Sequence, residues 1–108
     1  MRAGKVFYKN VYCGRIEQDD DGTFRFTYDE TYLMREDAEA VSLTLSLRKE
    51  SYESNVLFPF FDGLIPEGWL LDISTENWKL DPHDRMGLLL KVCHDPIGAA
   101  SVEEIVDE

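Results

Sequence analysis

The chain has 108 residues, of which 11 are Lys or Arg and 22 are Asp or Glu, for a net charge of −11. That length suits one domain with a thin core and excludes a self-contained protein kinase or other large enzyme. The acidity argues against autonomous binding to nucleic acid or to an anionic membrane, since both need a basic footprint.

The first 28 residues predict a three-stranded antiparallel meander. Val6, Phe7 and Tyr8 suit a pleated strand, Asn10 marks a turn, and Val11 to Ile16 resumes the pattern. Asp19-Asp20-Asp21-Gly22 is a reverse turn, after which Phe24, Phe26 and Tyr28 alternate with Arg25 and Thr27. Thr31 to Ala40 reads either as a short helix or as an irregular crossover. Val41 to Leu47 alternates cleanly and predicts a strand, with Val41, Leu43, Leu45 and Leu47 on the inward face. Arg48 to Glu53 reads as a polar loop.

From Ser54 the pattern turns helical, with Val56, Leu57, Phe60, Phe61 and Leu64 on one side and Pro59 in or near the first turn. A second helix is expected to open at Pro66-Glu67 and run to Ser74 or Asn77. A third carries Asp81 as N-cap, Pro82 at N1 and Asp84 at N3, followed by Met86, Leu89, Leu90 and Cys93 on one face. Ile97 to Val102 reads as a closing strand, with an acidic tail from about residue 103. Leu43, Phe61 and Leu89 are expected in the core.

Most chemistry that could be sought is not spelled out. Cys13 and Cys93 lie far apart and read as free thiols in a reducing, cytoplasmic compartment, with no signal peptide expected. The longest near-apolar stretch, Val56 to Ile65, is broken by Pro59 and Asp62 and falls short of the ~20 residues that a span requires. Glu17, Asp19, Asp21 and Gly22 resemble half a calcium loop, but Tyr28 stands where a bidentate Glu is needed. His83 and His94 have no metal-ligand spacing with the cysteines, and no phosphate-binding glycine loop is present. No cofactor or metal is therefore expected. Asp62 and Glu67 flank a turn and supply the one carboxylate pair worth weighing for a small hydrolase.

The segment around Trp69 points instead to binding. On a helical wheel Leu70 and Ile73 suffice for one buried stripe, which leaves Trp69, or Leu71 with Trp78, for a second surface. Tryptophan is enriched at binding hot spots. The turn Pro66-Glu67-Gly68-Trp69, with Asp62 before it, is the candidate partner-binding site.

Six pieces in order carry a family likeness: Val11-x-x-Gly14, Phe24-x-Phe26-x-Tyr28, Ser42 to Leu47, Phe60 to Gly68, Leu88-Leu89-Leu90 and Asp95 to Ala100. Together they resemble the first N-terminal subdomain of HipA-type toxin kinases. Cys93 departs from the glycine of that pattern, and Arg48 from its proline. The family's later segment, with its ATP and magnesium site, has no counterpart in these residues. The resemblance implies a non-enzymatic antitoxin that binds a HipT-like serine/threonine kinase, alongside a HipB-like helix-turn-helix protein that reads DNA. The competing readings are a structural module of a split kinase that joins HipB without inhibiting, and a carboxylate-dependent hydrolase. The expected fold is α+β: a small, curved, mostly antiparallel sheet of about five strands packed against two or three helices.

Overall fold

The computed structural model describes residues 2–65, 83–92 and 99–105. Its centre is an antiparallel sheet of five strands in the order β4-β3-β2-β1-β5. The strands are β1 (Arg2–Tyr8), β2 (Val11–Gln18), β3 (Phe24–Tyr28), β4 (Tyr52–Ser54) and β5 (Ala100–Ile105). Three described helices accompany it: α1 (Glu30–Leu33), α2 (Pro59–Asp62) and α3 (Arg85–Val92). The α+β class and the opening meander are as the sequence predicts.

Local chemistry explains the meander. Lys9 and Asn10 both take positive φ, 51° and 66°, the conformation that a two-residue hairpin turn demands and that Asn adopts at low cost. At the second turn Gly22 sits at φ 91°, and the Asp21 carboxylate accepts a hydrogen bond from the Thr23 N–H at 2.9 Å. The register shifts between Val6 and Phe7, so that Val6 faces Gly14 and Phe7 faces Tyr12. Cys13 is the extra residue of this bulge. Gly14 is required there, because a Cβ would lie 2.5 Å from the Thr27 carbonyl oxygen.

One face of the sheet carries the core. Val6, Ile16, Phe26 and Val102 are fully buried against Phe61, Met86, Leu88 and Leu89 from the helices. Phe26 lies at the middle, its ring centroid 4.8 Å from Tyr28 and 5.3 Å from Phe61. The helical pattern expected from Ser54 begins only at Pro59, which opens α2, and Val56 before it is 67% exposed, whereas Phe61 and Leu89 are core residues as expected.

Four expectations are corrected. Residues 41–47 form no strand: the segment turns sharply, with one isolated bridge between Ser42 and Leu45. Val41 and Leu45 are buried, but Leu43 is wholly exposed and Leu47 is 38% exposed. The edge strand beside β3 is instead Tyr52–Ser54, at the end of the expected polar loop and the start of the expected helical stretch, which pairs through Phe24↔Ser54 and Phe26↔Tyr52. Asp84 is not at N3 but caps α3, its carboxylate accepting from the Gly87 N–H at 3.2 Å and its carbonyl from Leu88 N–H at 3.0 Å. Glu103 and Glu104 belong to β5 rather than to a tail, paired with Lys5 and Gly4. The expected helix from Pro66, the N-cap Asp81, the N1 residue Pro82, and Cys93 lie outside the described residues.

The crossover from β3 to β4 is held by tyrosine hydroxyls. The buried Tyr28 hydroxyl accepts from the Val41 N–H at 3.0 Å and donates to the Leu45 carbonyl. Tyr32 donates to the Glu39 carbonyl at 2.7 Å and accepts from the Glu39 N–H at 3.0 Å. Tyr52 donates to the Ser46 carbonyl at 2.9 Å. These bonds satisfy backbone groups that a strand ladder would otherwise have paired.

Candidate functional site

The approach to the expected partner-binding turn is firmly seated. Phe61 and Ile65 are buried, and α2 ends at Gly63, whose N–H reaches back to the Pro59 carbonyl at 2.9 Å. Asp62, the one described member of the candidate set, accepts a hydrogen bond from Arg85 Nε at 2.6 Å and so braces α2 against α3. Its carboxylate is engaged in an ion pair, a structural use that needs no substrate. Pro66, Glu67, Gly68 and Trp69 lie outside the described residues, as do the alternative anchors Leu71 and Trp78.

A second brace fixes the start of α3. Arg2 donates to both carboxylate oxygens of Asp84, at 2.8 and 2.7 Å, which ties the first strand to the helix cap. Hydrogen bonding from Arg2 holds the Asp84 carboxyl below its ordinary range. A carboxyl depressed on folding stabilises the fold in full above its unfolded value of about 3.9, and that contribution is lost as pH falls through the lower folded value.

The other candidate groups are occupied or inert. Burial pushes the Cys13 thiol up to about 12, which leaves it protonated and unreactive at neutral pH. At the calcium-like turn Asp19 pairs with Arg25 at 2.6 Å, while Asp21 caps its own turn. Among the described residues, no three His, Cys, Asp or Glu side chains group as a metal site.

The structure also brings out an apolar surface, part of which, Leu43, was expected inward. Met34 is 84% exposed and Leu43 fully exposed, and both lie in the β3–β4 crossover. The available signal was Ser42, whose hydroxyl accepts from the Thr44 N–H at 3.3 Å in a local turn. The alternating apolar pattern masked it.

With the fold in place, the comparisons assign a family. A model of the HipA N-terminal domain matches residues 4–103, and the chain belongs to that family. An uncharacterized protein of Haemophilus influenzae is 31% identical over 104 residues, covering 96% of this chain and 93% of that protein. A putative kinase of Sinorhizobium fredii, Y4mE, is 28% identical over 99 residues, or 92% of this chain but 24% of the kinase. The solved N-terminal domain of HipA toxin superposes with a TM-score of 0.74 at 27% identity, covering all of this chain and 96% of that one. No described helix is long and apolar enough to cross a membrane.

Proposed function

We propose that this chain is a HipS-like antitoxin: a non-enzymatic domain that binds a HipT-like serine/threonine kinase and holds it inactive, with a HipB-like protein as the DNA reader of the complex. One observation carries this reading. The same domain accounts for 93% of the Haemophilus relative and for 24% of a putative kinase, so the family contains it both as nearly a whole small protein and as part of a large one. A small domain inhibits a kinase by filling its cleft or by holding its lobes in an unproductive arrangement. The segment Pro66-Glu67-Gly68-Trp69, a few residues after Asp62 of the Asp62–Arg85 brace, is the proposed contact. An indole there delivers a large apolar area at small entropic cost.

A growth experiment tests this. A HipT-like kinase from the same genome is expressed alone, with this chain, and with its Trp69→Ala variant. Arrest by the kinase, rescue by the chain and loss of rescue by a folded Trp69→Ala protein are expected. The match to a quarter of a kinase favours the second reading, a structural module that serves assembly with a HipB-like protein. Co-purification of chain and kinase without rescue would establish that module instead.

A further inference from the structure

The crossover leaves an open groove of about 390 Å³ between α1 and the segment before β4, walled by Leu33, Met34 and Leu47, with Glu30 on one side and Arg48 and Lys49 on the rim. Its apolar wall is solvent-facing, with Met34 at 84% and Leu47 at 38% exposure. A flexible, polarizable methionine side chain suits a wall that must adapt to an incoming group.

The rim of the groove is basic on an acidic chain. Acids outnumber bases 22 to 11, and Arg2, Lys9, Arg25, Arg35, Arg85 and Lys91 each hold a carboxylate. Arg48 and Lys49 are adjacent and, among the described residues, hold none. Arg48 is committed to its own loop: it stacks 3.6 Å from the Tyr52 ring centroid and donates to the Glu50 and Ser51 carbonyls at 3.2 and 3.1 Å. That fixes its cationic head beside the groove, with Lys49 next to it. An apolar slot bordered by two cations, on an otherwise acidic protein, complements an apolar side chain flanked by carboxylates.

We propose that this groove is a docking surface for the kinase and that it receives an apolar anchor of the kinase chain with an acidic neighbour set against Lys49. The inference rests on the kinase-binding reading above.

The test measures the affinity of the full chain for the kinase used in the rescue experiment, with Met34→Glu and Lys49→Glu variants and thermal melts as fold controls. Met34→Glu is expected to melt like the parent and to bind about tenfold or more weakly. Lys49→Glu is expected to lose several-fold affinity at low salt, with the loss shrinking as salt is raised. A photo-crosslinker at position 34 is expected to capture the kinase. Parental binding by both variants would overturn the groove and leave the antitoxin reading standing, whereas failure of the unaltered chain to bind any such kinase would overturn both. A self-associating parent chain that Met34→Glu renders monomeric would assign the groove to a second copy and also overturn the proposal.

Discussion

The meander of residues 2–28 and the crossover of residues 29–51 are built from similar residues by different means. In the meander, backbone pairs with backbone, so that alternation along each strand sorts side chains between two faces: Phe24, Phe26 and Tyr28 inward, Arg25 and Thr27 less buried. In the crossover, backbone is bonded by side-chain hydroxyls from Tyr28, Tyr32 and Tyr52. A tyrosine anchor binds one or two backbone groups and leaves its neighbours unconstrained. Buried Val41 and Leu45 can therefore stand beside fully exposed Leu43 in a segment whose pattern alternates as regularly as β3. Periodicity reports inside and outside only where a continuous ladder enforces it.

The largest effect is expected on the meander side. Phe26 is fully buried and touches the rings of both Tyr28 and Phe61, so Phe26→Ala should cost about 3–5 kcal/mol. For a domain with a total stability of roughly 5–15 kcal/mol, that should depress the melting temperature strongly or leave the chain unfolded. A near-parental melt would mean that the sheet face is not the centre of the core.

A smaller and more local effect is expected for Tyr28→Phe. The ring stays and the packing with it, but the buried Val41 N–H and Leu45 carbonyl lose their partner. Leaving such groups unsatisfied costs about 1–3 kcal/mol. Hydrogen exchange should then speed up selectively in residues 39–46 while β1 to β3 stay protected. Uniform loss of protection would show that crossover and meander form a single cooperative unit, and the contrast between them would fail.

What could be read from the sequence follows the same division. The turns at Asn10 and Gly22, the three strands and the inward set Met86, Leu89 and Leu90 each have a local cause that leaves a local mark. The strand at Tyr52–Ser54 left little mark because three residues are too few to show a period. The cap of α3 was displaced by three residues because Asp81 and Asp84 are equally good caps locally, and what identifies Asp84 is Arg2, 82 positions away. The same holds for the candidate site. Asp62 stood out from its place beside a turn, but its brace to Arg85 spans 23 positions and belongs to tertiary structure. The groove was hidden for a related reason: assigning Leu47 inward removed one of its walls.

The smallest expected effect is the sharpest test of the comparison. Leu43 lies in the Ser42–Leu45 turn with its side chain in water, so Leu43→Ala removes apolar surface that folding does not bury. Surface substitutions of this kind fall within about 0.5 kcal/mol of the parent. Had residues 41–47 been a core-facing strand, the same change would cost about 2–5 kcal/mol. The two architectures thus differ by several-fold in the effect of one truncation, well within the resolution of a denaturant or thermal melt. A parental melt for Leu43→Ala supports the tyrosine-anchored crossover. A large loss would restore the strand and, with it, the inward placement of Leu47, closing the groove proposed as a docking surface.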